Sequence, residues 1–496
     1  MELNTFLLLC MPLILCFFLL QFLRPSSHAT KLPPGPTGLP ILGSLLEIGK
    51  LPHRSLARLA KIHGPLITLR LGSITTVVAS SPQTAKLILQ THGQNFLDRP
   101  APEALDSPQG TIGWIPADHV WRSRRRVCIN HLFTSQSLDS LQHLRYKKVE
   151  QLLQHIRKHC VSGTPVDIGL LTSAINLNVL SNAIFSVDLV DPGFESAQDF
   201  RDQVWGIMEG AGKFNISDYF PMFRRFDLLG VKRDTFSSYK RLYEIVGGII
   251  KSRIKCRASN PMSRNDDFLD VILDQCEEDG SVFNSDNIQV LIVELFYAGS
   301  DTSTITTEWA MTELLRNPRL MQKVRQELSE VIGAGQMVRE SDMDRLPYFQ
   351  AVVKETLRLH PAGPLLLPFK AKNDVELCGF TIPSNSHVIV NMWAIARDPS
   401  YWEDPSSFLP ERFLGSKIDY RGQDYEYIPF GAGRRICPGI PLAIRMVQLV
   451  LASIIHSFNW KLPEGITPLT IDMQEKCGAT LKKAIPLSAI PFIEEN

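Results

Sequence analysis

One stretch near the C-terminal end constrains this chain more than any other: Phe430-Gly431-Ala432-Gly433-Arg434-Arg435-Ile436-Cys437-Pro438-Gly439. It presents a lone cysteine on a glycine-rich, doubly basic turn just ahead of a long apolar segment. Such a turn suits a metal-bound thiolate. Glycines let backbone amides approach the sulfur without a Cβ clash, and nearby positive charge favours thiolate over thiol. Arg435, just upstream of Cys437, is able to pair with an anionic group on a cofactor. Taken singly, these elements are common, because an isolated cysteine is usually a small buried hydrophobe.

The whole chain narrows the field. Its 496 residues exceed one ordinary domain, and length alone suggests two or three. With 44% apolar and 21% charged residues it has ample material for a core. A net charge of +1 gives no global field for nucleic acid. Nine scattered cysteines without a C-x-x-C pair argue against a disulfide framework and a zinc site.

Leu3 to Leu23 is apolar apart from Asn4, Thr5 and Gln21, close to the ~20 residues that span a bilayer. Arg24, His28 and Lys31 follow it, which places the C-terminal body in the cytosol. A cleaved secretory signal is the rival reading. It lacks support because no basic segment precedes the apolar one. Next, Pro33, Pro34, Pro36 and Pro40 predict a stiff, extended hinge.

Alternation from Leu66 to Ser80 predicts a β-hairpin. Elsewhere helices dominate. An apolar run predicts a buried helix from Asp286, as its cap, to Leu315. Amphipathic helices follow at Pro318–Val331 and Tyr348–His360, then short strands around Val375–Val390 and a helix over about Leu442–Phe458.

Ala298-Gly299-Ser300-Asp301-Thr302 lies inside the long apolar run. These residues are poor choices for a buried helix and predict a local break that opens space for a small molecule. A bare kink beside a small cavity is the plainer reading. Glu355 and Arg358 share a helix face, as do Trp121 and Arg125. Taken alone, both pairs look like ordinary surface features.

Together these motifs resemble the cytochromes P450. Phe430, Gly433, Arg435, Cys437 and Gly439 match the family's haem-binding signature at each fixed position. The resemblance implies a mostly α fold with a small β region, carrying one N-terminal transmembrane helix. It divides the chain into an anchor over 1–23, a hinge over 24–40 and a catalytic domain over 41–496. It makes Cys437 the axial thiolate of haem b, a ligand that favours O–O cleavage. Trp121 and Arg125 match the family's W-x-x-x-R element and suit a haem propionate. Asp301 and Thr302 become the pair that delivers protons during oxygen chemistry. Glu355 and Arg358, with Arg412 of Pro410-Glu411-Arg412-Phe413, become a buried structural triad.

The resemblance further implies an NADPH–cytochrome P450 reductase as electron donor, O2 as co-substrate and an endoplasmic reticulum location. No dinucleotide fingerprint is present, so the chain is not expected to bind NADPH itself. Arg122, Arg124, Arg126 and Arg434 would form a basic patch for the donor. Two positions depart from the pattern. Ala362 stands where relatives commonly have a second proline. Phe369 stands where they often have Arg or His near a propionate, leaving Lys370 as the substitute.

Softer strings resemble plant microsomal members that oxidise terpenoids, including geraniol hydroxylases and ferruginol synthases. They are Phe214 to Pro221, Gly422 to Glu426 and Gly363 to Pro368. They imply hydroxylation of an abietane-type diterpenoid, or alternatively of a monoterpene alcohol. By analogy the pocket is drawn from Ile112–Ile115, Leu295–Ala298, Ala362–Leu366 and Cys477–Leu481. Two other classes stay open: an isomerase or dehydratase needing no reductase, and a haem-binding protein without chemistry.

Overall fold

In the computed structural model the described residues are 31–105, 111–191, 196–260, 264–278, 280 and 282–493. The expected anchor over 1–23 and the first part of the hinge lie outside them. The rest of the hinge is extended and bound to the body. Pro34 carbonyl accepts from Thr68 N–H at 2.9 Å, and Lys31 carbonyl from Thr381 N–H at 2.8 Å. Gly35 makes this approach possible, since a Cβ there would lie 1.8 Å from Thr68 oxygen.

Thr68 belongs to the expected hairpin, β1 (Leu66–Leu71) and β2 (Ile74–Ala79), paired antiparallel. A later segment supplies β3 (Phe369–Lys370) and β4 (His387–Val390). The sheet order is β1-β2-β4-β3, with β2 and β4 parallel and Val77 opposite Val388. Such a crossover requires a long connection, and most of the helical body is inserted there.

Helices dominate that body. Those that build the site are α1 (His119–Cys128), α2 (Ile168–Phe185), α3 (Ala197–Gly212), α4 (Ser285–Arg316), α5 (Pro347–Leu359) and α6 (Ile440–Ser457). Helix α4 is central and packs on α2, α3, α5 and α6. Its N-terminus corrects the expected cap. The helix starts at Ser285, so Asp286 lies within it; Asn284 Oδ1 accepts from Asn287 N–H at 3.0 Å, and Asn287 Oδ1 accepts from Asn284 N–H at 3.0 Å. The helix also runs unbroken through 298–302, against the expected local break. Gly299 is there for packing: a Cβ on it would meet Leu180 of α2 at 2.7 Å. The serine and threonine hydroxyls are satisfied by carbonyls one turn back, as in Ser300 to Phe296 at 2.6 Å.

Behind the site the expected triad is present and buried. Arg358 grips Glu355 through Nε–Oε2 at 2.7 Å and Nη2–Oε1 at 2.8 Å, and Arg412 Nε reaches Glu355 Oε1 at 3.1 Å. The remaining Arg358 hydrogens go to the carbonyls of Ala396, Pro405 and Ser407. Two backbone segments, at Ala396 and at 405–407, are thereby tied to α5. After α6, β5 (Glu475–Cys477) and β6 (Leu481–Lys483) form a hairpin.

Candidate active site

A cavity of about 350 Å³ lies between α4 and the turn that precedes α6. Cys437 lines it, as do Phe430, Arg435 and Gly439, while Thr302 lines it from α4. Among the described cysteines, only Cys437 reaches this space. Its N–H bonds back to Phe430 carbonyl at 3.0 Å, closing the turn. Gly433 is required by shape: its φ is +70°, and a Cβ would lie 2.1 Å from Leu89 oxygen. Gly439 has an ordinary φ of −84° and serves differently. Burial pushes the Cys437 thiol up, opposed by the amides of Gly439 and Ile440 and by the charge of Arg125. The turn alone therefore does not make the thiolate; a cation at the sulfur would complete the balance.

Helix α1 brings Trp121 and Arg125 to one face, its N-terminus capped by Asp118, which accepts from Trp121 N–H at 2.9 Å. Both side chains are held by backbone carbonyls. The Trp121 indole donates to Ile112 at 3.1 Å, and Arg125 Nη2 donates to Ile436 at 2.5 Å. Arg435 donates to Leu97, Ile112 and Ile115 at 2.9, 3.0 and 2.6 Å, with its guanidinium 4.5 Å over the Trp121 ring.

A third guanidinium, absent from the sequence-based expectations, joins them. Arg99 lines the cavity and donates through Nη1 to the carbonyls of Leu367 and Pro368. Its guanidinium lies 4.1 Å over the ring of Phe369, the residue that departs from the family pattern. Lys370, the expected substitute, does not line the cavity. The only signal for Arg99 was Pro100, which predicts an extended backbone at the preceding residue. Nothing in its spacing points to a turn more than three hundred positions away.

These arginines test whether haem fits. Burial pushes Arg99 well below the usual range, and repulsion from Arg435 and Arg125 lowers it further. Arg435 is lowered to about 10, by burial first. Arg99 Nε is buried without a partner. The cavity sets three crowded guanidiniums, one of them with an unsatisfied donor, against a single acid, Glu294, whose two oxygens are taken by the amides of Ile112 and Gly113, and so is short of negative charge. A flat apolar cofactor bearing two carboxylates supplies that charge, so the residues present fit haem.

Thr302 and Asp301 diverge. Thr302 faces the cavity and its hydroxyl donates to Ala298 carbonyl at 2.8 Å. Asp301 points away, buried, accepting from Thr480 Oγ1 at 2.7 Å just before β6. Burial raises its pKa, while Thr480, Lys482 and Arg201 oppose the rise.

The expected pocket segments contribute in part. All four segments reach the cavity, through Ile112, Gly113 and Trp114, Leu295, Tyr297 and Ala298, Ala362, Gly363 and Leu366, and Ala479 and Thr480; Ile115, Phe296, Pro364, Leu365, Cys477, Gly478 and Leu481 do not line it. Sequence patterning missed the contributions of α2 (Asn176, Val179, Leu180) and α3 (Ile207, Met208, Ala211). The basic patch also needs correcting. Arg122, Arg126 and Arg434 border one surface depression. Arg124 instead turns inward, donating to Val282 carbonyl at 3.0 Å.

Comparison with known proteins agrees with this geometry. A family model described as Cytochrome P450 matches residues 33–487, and the chain belongs to that family. It is 45% identical over 489 residues to geraniol 8-hydroxylase of Swertia mussotii, with 98% of each chain covered. It is 42% identical over 484 residues to drimenol monooxygenase of Persicaria hydropiper, covering 97% of this chain and 96% of the relative. A 7-ethoxycoumarin O-deethylase of Helianthus tuberosus is 45% identical over 490 residues, covering 98% and 99%. The protein is therefore a haem-thiolate monooxygenase that uses O2 and electrons from a redox partner.

Proposed function

We propose that this chain hydroxylates an apolar terpenoid, with Cys437 as the residue that would ligate the haem iron. The observation that carries the reading is one mostly apolar cavity holding the sulfur, the arginine trio and Thr302. The substrate class draws its support from the names of two of these relatives, geraniol 8-hydroxylase and drimenol monooxygenase, while the third is named for 7-ethoxycoumarin. Within that class two readings stand. The softer sequence strings favour an abietane-type diterpenoid. The geraniol 8-hydroxylase relatives favour a monoterpene alcohol. Incubating NADPH-supplied microsomes with both substrate types and recording product masses decides between them.

Bound haem supplies reductive activation of O2 and insertion of one oxygen atom into substrate. The chain's own residues hold, shield and move protons. Arg99, Arg125 and Arg435 would hold the cofactor carboxylates, with Trp121, which does not line the cavity, backing Arg435; Phe430, Gly433 and Gly439 shape the turn that presents the sulfur. Arg99→Ala is expected to speed haem loss by at least about tenfold, the equivalent of one charge-assisted hydrogen bond. Transfer of haem to a scavenging apoprotein measures this.

Thr302 presents a hydroxyl to the cavity, and Asp301, on the far side of the same turn, supplies the acid. Thr302→Ala is expected to lower product formation by about 10²-fold, toward the low end for a lost proton-transfer group. NADPH consumption continues meanwhile. Well-coupled turnover in that variant would remove Thr302 from the proton path.

An NADPH–cytochrome P450 reductase is the proposed donor, docking at Arg122, Arg126 and Arg434. Residues 1–23 are proposed to anchor the chain in the endoplasmic reticulum membrane, with the catalytic body in the cytosol.

A further inference from the structure

Glu294 is a buried acid of α4 for which the mechanism above has no use. Its carboxylate receives two successive backbone amides from the stretch leading into α1. Ile112 N–H reaches Oε2 at 2.5 Å, and Gly113 N–H reaches Oε1 at 2.7 Å. The carbonyl side of that stretch is tied in the other direction. Ile112 oxygen accepts from Trp121 and Arg435, and Ile115 oxygen accepts from Arg435. Residues 112–115 are thus strapped between the central helix and the cysteine turn.

Ile112, Gly113 and Trp114 form one wall of the cavity, and they have no regular secondary structure to hold them. A coil segment keeps one shape only where outside bonds select it. Both carboxylate oxygens are in use, each on a different amide. Glutamine would offer one oxygen and an amide that opposes the second N–H. Gly113 fits the same purpose from the other side, since a Cβ on it would lie 2.8 Å from Glu294 Oε1.

We infer that Glu294 is a positioning residue that clamps the Ile112–Trp114 wall and so selects which carbon of an apolar substrate is oxidised. The inference rests on the reading of this cavity as the substrate site. A substrate with few polar handles is oriented by wall shape, so a loosened wall spreads oxidation over neighbouring carbons. Burial raises the Glu294 carboxyl to about 7, against the opposing pull of the two amides, Arg435 and Arg124. An acid in such a place is costly to keep unless the clamp requires it.

The test uses the full-length holoenzyme, with Glu294→Gln and Gly113→Ala made separately and together. Amide hydrogen exchange across 111–116 is expected to rise at least about tenfold in each variant, as for one lost charge-assisted bond. The double variant is expected to add little, because both changes break one contact. With geraniol as probe, the ratio of hydroxylated products shifts and KM rises. The carbon monoxide difference spectrum, which reports thiolate ligation, stays as in the parent. Gly113→Ala keeps the acid and separates a lost clamp from a misfolded protein. Unchanged exchange, or raised exchange with an unchanged product ratio, would overturn the inference. If the parent enzyme oxidises no terpenoid, the functional reading fails, and the exchange measurement still decides whether the clamp exists.

Discussion

Cys437→Ser is expected to abolish oxidation of every substrate while leaving a folded chain. Among the described cysteines no other lines the cavity, so no neighbouring thiol takes its place. A serine hydroxyl is not ionised at neutral pH and cannot donate charge to iron as a thiolate does. The thiol is also poised unusually: burial opposes its ionisation, and Arg125 with two backbone amides opposes burial. Removing the sulfur leaves those donors aimed at a weaker acceptor. The carbon monoxide difference spectrum should lose its thiolate-type band, and product should fall below detection in microsomes supplied with NADPH. Retained activity would mean that another residue ligates the haem and would undo the proposed site.

Glu355→Ala has the second largest expected effect, on folding rather than chemistry. The carboxylate is fully buried between Arg358 and Arg412 and also accepts from Leu409 N–H at 2.8 Å. Its loss strands the Arg358 charge, which already helps burial to lower its neighbour Arg397 to about 9. Breaking a buried pair by removing one partner costs about 3–5 kcal/mol. That is a large part of the ~5–15 kcal/mol by which a typical protein is stable. Little holoenzyme should accumulate, and what does should melt well below the parent. Replacing Lys323, whose exposed Nζ pairs with Glu411 at 2.7 Å, serves as the contrast. An exposed pair contributes about 0–1 kcal/mol, so that variant should melt as the parent does. Equal melting of the Glu355 variant would mean that carbonyls alone hold the arginines.

Motifs whose parts lie within one turn were legible in the sequence. Cys437 and its glycines form one local bend, and Trp121 and Arg125 share one face of α1. Glu355 and Arg358 share a face of α5, and the hairpin at 66–79 follows from partial alternation and β-branched residues about Gly72-Ser73. Patterning erred where a local property was put to a non-local use. Gly299 looked like a weak point in a helix, but it is the seat of Leu180. Arg124 looked like its solvated neighbours, but it caps Val282 carbonyl inside the body. Asp286 looked like the cap of α4, and Asn284 holds that position through a reciprocal bond with Asn287.

The sequence by itself determined the family, the cofactor and the mostly helical architecture, because contiguous residues at set spacings encode the bend around the sulfur and the faces of the helices. Only the tertiary structure decided how the cavity is charged and walled. Arg99 stacks on Phe369, Glu294 holds Ile112 and Gly113, and α2 and α3 close the far side. The physical reason is distance along the chain. Bonds between residues a hundred or more positions apart carry no period and no spacing, and arise only when packing brings their elements together.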